Sequence, residues 1–245
     1  MLDLKERIIA EFKKKTAKEC YEIKIEEGTP EILDDKIGGK PYLPVGEEYP
    51  KDSNGNELAL LLQINLKNID LQGYPKQGIL EIFTDNEVDY PCQYAVKYFN
   101  EGLEYQTDLP DVDISSYIVE KGYKITASKT IAHMVPTDHR FNDMLSLIGG
   151  EFDASDDELD EAEEGIWDAI NIPKISLGGY PDFTQSDPRG YGEVKGKSEC
   201  LFKLDSCADS DKFFIGDAGI LFALIAPDDI KNCNFENAFV DWDCC

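Results

Sequence analysis

A degenerate internal repeat constrains the fold of this 245-residue chain more than any other sequence feature. Three segments recur in the same order: IGGKP at 37–41 with LGGYP at 177–181, LLQIN at 61–65 with LFKLD at 201–205, and GILEIF at 78–83 with GILFAL at 219–224. The first two pairs are offset by 140 residues and the third by 141. Matches in one order at nearly constant spacing predict the duplication of one supersecondary unit.

Each predicted unit consists of a Gly-Gly turn, a loop, a buried strand, a second turn and a second buried strand. Short connections favour antiparallel pairing. We therefore predict an α+β fold with a duplicated, mainly antiparallel β core, in which the two units face each other across a pseudo-twofold axis.

Helical periodicity appears at the N-terminus and between the two copies. The division predicted for a single domain over 1–245 is an N-terminal helix at 3–19, a first repeat at 30–115, a helical insert with an acidic run at 137–172, and a second repeat at 174–245. Within the insert, Gly149 and Gly150 are predicted to end a helix. Pro173 ends the next one.

The formal net charge of −26 limits the partners of this chain. Nucleic acid and anionic membrane surfaces both select cationic proteins, so we predict that it binds neither. A basic protein or a neutral small ligand stays compatible with this charge. The sequence shows no signal-peptide pattern, no apolar run that could cross a membrane, and an odd number of cysteines, which together predict a reducing cytoplasm.

Motifs for catalysis and metal binding are each incomplete. The segment GKS at 196–198 resembles the end of a phosphate-binding loop, but the glycine required five residues before it is Tyr191. Asp217 resembles an aspartic-protease carboxylate, yet its counterpart in the first copy is Lys76. With two histidines and no Cys-x-x-Cys pair, we predict no metal and no cofactor.

The acidic run at 151–164 has nine acidic positions. A calcium loop starting at Asp153 would place Asp157 and Glu164 at ligand positions, but the required glycine is replaced by Glu158. We expect a solvated helix start here, and weak calcium binding stays open.

The richest polar segment is GGYPDFTQSDPR at 178–189. The candidates for binding a ligand or partner, in this segment and elsewhere on the second copy, are Tyr180, Gln185, Asp187, Arg189, Asp205 and Asp217. An alternative also stays open, in which Asp187 and Arg189 pair with each other and hold a long loop in place.

In several segments, including the one at 178–189, the chain resembles the bacterial YwqG-like family, a domain of unknown function. The matching segments are KIGGKPYLP at 36–44, QIN at 63–65, GILEIF at 78–83, GGYPDFTQSDPR at 178–189, LDS at 204–206, GDAGILF at 216–222 and WDC at 242–244. The family pattern often has Gln at the position of Lys203 and an aromatic residue at that of Ile215. The resemblance implies an α+β fold with a duplicated core and no established activity, and some members belong near toxin–immunity genes.

From these observations we predict a non-enzymatic module, immunity-like in role, that binds a protein through its acidic surface. The alternative is a small-ligand binder or metal-independent enzyme that uses a cleft between the two repeats. In that case Gln185, Asp187, Arg189, Asp205 and Asp217 would line the cleft.

Overall fold

The computed structural model describes residues 2–86, 92–118, 122–190 and 192–244, and these form four α-helices and ten β-strands. The helices are α1 (Leu4–Thr16), α2 (Phe141–Phe152), α3 (Asp156–Ala169) and α4 (Pro227–Lys231). The strands are β1 (Lys18–Glu26), β2 (Lys36–Gly38), β3 (Ala59–Asn65), β4 (Ile79–Thr84), β5 (Tyr94–Phe99), β6 (Gly122–Ala132), β7 (Ile175–Gly178), β8 (Glu199–Asp205), β9 (Ile220–Ile225) and β10 (Phe239–Asp243). None of the described helices is long and apolar enough to cross a membrane.

The ten strands form one antiparallel sheet in the order β10-β9-β8-β7-β1-β6-β2-β3-β4-β5. The long strands β1 and β6 pair at its centre. We call β2–β5, which follow β6 in the sheet, the first wing, and β7–β10, which follow β1, the second wing. The edge strands approach each other, with the rings of Tyr94 and Phe239 6.3 Å apart, so the sheet is nearly closed and barrel-like.

Burial explains why the apolar runs form strands. Strands β3, β4, β8 and β9 are buried along almost their whole length, and they contribute side chains such as Leu80 and Leu221 to the main core. A second core lies among α1, α2 and α3 and includes Phe12, Phe141 and Ile166. A capping box between Asp3 and Glu6 begins α1.

The two wings share local geometry at the predicted offset. Gly38 and Gly178 have φ values of 72° and 75°, in the left-handed region that glycine tolerates. Irregular pairing occurs at Leu60/Leu62 in the first wing and at Cys200/Phe202 in the second. Each buried strand then ends in a capped turn: the side chain of Asn65 accepts from the Lys67 amide, and that of Asp205 accepts from the Cys207 amide. The duplication itself stays a prediction.

The wings continue a single sheet on either side of β1 and β6, and the pseudo-twofold relation expected between them stays a prediction. One element boundary differs from the predicted one. The predicted helix at 3–19 ends at Thr16, and β1 follows almost at once. Tyr21, Ile23 and Ile25 alternate with charged residues there, a pattern of period two that the helical prediction did not use.

The predicted helix end at Gly149 and Gly150 is also wrong. Helix α2 continues through both residues to Phe152 and ends at Asp153, which has a left-handed conformation with φ 54°. Gly149 serves packing, because a methyl group on it would lie 2.7 Å from the side chain of Leu159 in α3.

Candidate functional site

A buried charge network holds the loop at 180–189 against the start of α2. Arg189 is only 4% exposed, and its Nη2 atom donates to Asp187 Oδ2 at 2.5 Å and to Asp138 Oδ2 at 2.7 Å. Asp138 also accepts two hydrogen bonds from Arg140, at 2.8 and 2.7 Å. Asp187 and Arg189 therefore pair with each other, which is the alternative to ligand binding that the sequence left open.

His139 completes this network. Its Nδ1 atom lies 2.8 Å from Asp187 Oδ2, and its backbone amide donates to the same oxygen at 3.0 Å. Burial alone would raise the pKa of the Asp187 carboxyl, but the hydrogen bonds from Arg189 and His139 outweigh burial and hold it below its usual range.

Asp138, His139 and Asp187 bring three potential metal ligands within 4.8 Å of one another. Both carboxylates, however, already accept hydrogen bonds from arginine. A cation would have to displace Arg189 from a buried position, which leaves that guanidinium unpaired. We therefore interpret this cluster as a structural charge network.

The other side of the loop is tied to the end of β10. The carboxylate of Asp243 accepts hydrogen bonds from the backbone amides of Thr184 and Gln185, each at 3.1 Å. The Gln185 side chain donates from Nε2 to the carbonyl of Cys244 at 2.8 Å. The loop thus bridges the helical insert and the terminal strand.

The GDAG segment at 216–219 meets the same terminal residues. A methyl group on Gly216 would lie 2.8 Å from Cys244 Sγ, and one on Gly219 would lie 2.4 Å from the carbonyl oxygen of Asp243. Only glycine permits this approach. Ala218 between them has a φ of 54°, which is uncommon for a residue with a side chain. Three segments that carried the family resemblance therefore converge at one end of the second wing.

A cavity of about 380 Å³, which we call the terminal pocket, lies at this point of convergence. Its lining residues are Gln185, Ser186, Pro188, Phe222, Asp241, Trp242, Asp243 and Cys244. Asp241 is 9% exposed, and burial together with the neighbouring charge of Asp243 raises the pKa of its carboxyl. The indole N–H of Trp242 and the hydroxyl of Thr184 are buried without a hydrogen-bond partner among the described residues.

The other predicted site residues serve different contacts. Asp205 is buried, pairs with Lys174 at 2.6 Å and caps the turn that follows β8. Tyr180 is half-buried, with Lys18 Nζ 5.3 Å from its ring centre and the Arg140 guanidinium carbon 5.9 Å from it.

Asp217 lies on the exposed GDAG turn. The structure thus brings Gln185 and the Asp217 turn near Asp243, and pairs Asp187 with Arg189. It pairs Asp205 with Lys174, and Asp205 is not among the described residues that line the terminal pocket. Their roles in binding stay predictions.

Helix α3 presents a second candidate region, an exposed acidic face. Its acidic residues are Asp156, Asp157, Glu158, Asp160, Glu161, Glu163, Glu164 and Asp168. Glu151 before the helix pairs with Lys15, but in the described parts of the chain none of these eight acids forms an ion pair. Because most of the run is helical, its carboxylates do not follow the path of a calcium loop.

Trp167 lies within this acidic face and is 45% exposed. Glu164, Glu163 and Asp160 precede it by three, four and seven residues, so they share its side of the helix. We call these four residues the acidic stripe.

Several residues of these regions were not predicted as site residues. The sequence patterns predicted no site role for Asp138, His139 or Arg140, and none for Asp241 or Trp167. One usable signal was the alternation in FVDWD at 239–243, which places Asp241 and Asp243 on one face of a strand. The Arg189–Asp138 pair spans 51 positions of sequence, so spacing carried no signal for it.

A family model described as Domain of unknown function (DUF1963) matches residues 35–244. The chain therefore belongs to this family, which covers both wings and the helical insert. No curated protein matches the chain. The closer YwqG-like name and a bacterial origin stay predictions from the motifs.

Proposed function

We propose that this chain is a non-enzymatic binding module that captures a basic segment of another protein on the acidic stripe of α3. The observation that carries the proposal is Trp167, whose side chain is 45% exposed among carboxylates without ion-pair partners in the described residues. Exposed tryptophan is uncommon on a free surface and is enriched where proteins bind each other.

The distribution of charge along α3 supports a role beyond solubility. The helix dipole favours acids in the first turn, which accounts for Asp156, Asp157 and Glu158. It disfavours acids towards the C-terminal end, yet Glu164 and Asp168 lie there and the last turn has no basic residue of its own. Lys13 of α1 donates from Nζ to the Ala169 carbonyl at 2.6 Å, but it forms no ion pair with either of these two acids. Helix stability therefore does not explain these acids, whereas a basic partner would compensate for their charge.

The chemistry of the stripe specifies its partner. Arginine or lysine can pair with the carboxylates of Asp160, Glu163 and Glu164, and a guanidinium can also stack on the indole of Trp167. The formal net charge of −26 would attract such a partner and make association fast and sensitive to salt. An immunity-like role is one instance, in which the partner is a basic toxin domain.

Two further inferences accompany this proposal. We infer that the wings descend from one duplicated unit, since their turns, irregular pairings and caps correspond at the offset of 140 residues.

We also infer a cytoplasmic location, which the free state of the six described cysteines supports.

The test is a pull-down at low and high salt with two variants of equal charge change. The stripe variant carries Asp160→Asn, Glu163→Gln and Glu164→Gln. The control carries Glu47→Gln, Glu48→Gln and Glu57→Gln, three exposed acids of the first wing's loops. We expect wild type and control to retain a specific basic protein at low salt only, and the stripe variant to lose it. Recovery of no such protein, or equal recovery by the stripe variant, overturns the proposal.

A further inference from the structure

The terminal pocket is a site with uncompensated negative charge. Asp241 and Asp243 occupy alternate positions of β10, so their side chains project from the same face of the strand. Among the described residues that line it, none is a lysine or an arginine. We infer that this pocket binds one alkylammonium or guanidinium group, with the Asp241 carboxylate as the principal partner of the cation.

The hydrogen bonds already made leave capacity on Asp241. Asp243 accepts two backbone amides of the loop, which fix its carboxylate as part of the wall. Asp241 accepts one hydrogen bond from the Trp242 amide at 2.9 Å, through Oδ1. A cation at Asp241 would restore the stabilisation of its charge that burial removes.

The rest of the lining suits the carbon chain that carries such a cation. Phe222 and Pro188 supply apolar surface for methylene groups. Gln185 donates its amide N–H to Cys244, and its amide oxygen can accept a further hydrogen bond from an ammonium or guanidinium group. A volume of about 380 Å³ accommodates one lysine or arginine side chain or a small free amine.

This inference does not rest on the proposed function, because the terminal pocket and the acidic stripe share no residue. The cation could belong to a protein side chain or to a free metabolite amine, and the chemistry at Asp241 is the same for both. The choice between these sources is therefore made by experiment.

The experiment is calorimetric titration of the full chain with agmatine, which carries a guanidinium and a primary ammonium group, and with n-butylammonium, which carries one ammonium group, each compared with n-butanol as a neutral control. We expect both cations to bind and n-butanol not to bind. Asp241→Asn keeps the shape of the side chain and should weaken agmatine binding about tenfold or more. Glu236→Gln removes an exposed charge shortly before β10, at a residue with no place in the pocket, and should change the affinity less than threefold.

A second variant keeps the test decisive if Asp241→Asn does not fold. Gln185→Lys places a competing ammonium at the pocket, and it should also abolish agmatine binding. No heat of binding with either cation, or unchanged affinity in Asp241→Asn, overturns the inference. The stripe variant should bind agmatine normally, so the failure of one proposal is distinguishable from the failure of the other.

Arginine blocked at both ends, as N-acetyl-arginine methylamide, identifies the source of the cation. If it binds as tightly as agmatine, the pocket accepts a side chain from a protein. If agmatine binds and the blocked arginine does not, the pocket selects a free amine.

Discussion

The two wings share a backbone plan but use their buried polar side chains differently. In the first wing these side chains bind local backbone. Lys36 donates from Nζ to the carbonyls of Glu31 and Ile32 at 2.7 and 2.8 Å. The Tyr42 amide donates to both Gln63 and Glu81, at 2.7 and 2.8 Å. These contacts all join residues of the first wing or of the loops next to its strands.

The second wing has other residues at the equivalent positions. Ser176, Lys203 and Phe222 stand where the first wing has Lys36, Gln63 and Glu81. Some of its polar contacts reach outward, through Arg189 to the helical insert and through Asp243 to the loop at 180–189. The comparison teaches that the shared backbone is maintained by glycines, turns and apolar strands. The polar residues are free to differ, and those of the second wing line the terminal pocket.

The largest effect is expected from removing Arg189, a buried cation of the second wing. Arg189→Met leaves the carboxylates of Asp138 and Asp187 with one partner fewer at a buried site, and should lower the free energy of unfolding by about 3–5 kcal/mol. Lys36→Met is the matched change in the first wing. It should cost about 1–2 kcal/mol, because the hydrogen-bond partners left behind are neutral carbonyls and the nearby Glu81 carboxyl, whose pKa burial raises to about 8, is mainly protonated at neutral pH.

Chemical denaturation of both variants measures the difference. Equal losses in the two wings would contradict the distinction between a charge network and local backbone contacts.

A smaller effect is expected at the backbone positions that the wings share. Gly178→Ala introduces a methyl group 2.8 Å from Leu71 at a φ of 75°, and should cost about 1–3 kcal/mol. Gly150→Ala is the control, because it lies inside α2 with open space around it, and should stabilise the chain by about 0.5–1 kcal/mol.

Thermal unfolding of the two variants should therefore shift the midpoint in opposite directions. A Gly178→Ala variant as stable as wild type would show that this turn does not require glycine.

A third effect is a pH dependence of stability that has opposite signs in the two wings. Burial raises the pKa of Glu81 from 4.5 to about 8, so the folded chain binds a proton there that the unfolded chain releases. Stability due to this group is present below pH 4.5 and is lost as the pH rises towards 8. The loss is at most about 1.4 kcal/mol per pH unit.

Glu81→Gln removes this titration and should gain stability relative to wild type across that window. Asp187→Asn in the second wing should show the opposite sign, because the lowered pKa of Asp187 contributes stability at neutral pH that is lost in acid. Urea denaturation at several pH values measures the free energy of unfolding of both variants. If this free energy changed with pH in the same direction for both variants relative to wild type, the opposite roles of Glu81 and Asp187 would be contradicted.

Local patterns predicted the parts of the fold that depend on neighbouring residues. The apolar runs at 58–66 and 78–83 became β3 and β4, and the acids before 159 mark the start of α3. Strand β1 was missed because it follows α1 with only Ala17 between them. The predicted helix extended into its first residues, and the alternation of apolar and charged residues that follows was not used.

The candidate sites depend on contacts that sequence spacing does not encode. Gln185 and Cys244 are 59 positions apart, and nothing in either segment indicates that one donates to the other. The pairing of Asp187 with Arg189 was predictable as an alternative because the two are close in sequence. The same guanidinium's second bond, to Asp138, required the folded chain.

The most direct measurement is the affinity of the captured basic protein for wild type and for Trp167→Ala, by calorimetry in one low-salt buffer. An aromatic anchor at the centre of an interface is worth about 2 kcal/mol or more, so we expect the affinity to fall about thirtyfold. Leu147→Ala, which removes another exposed apolar side chain from α2, should leave it nearly unchanged. Equal affinity of wild type and Trp167→Ala would contradict a binding surface on α3.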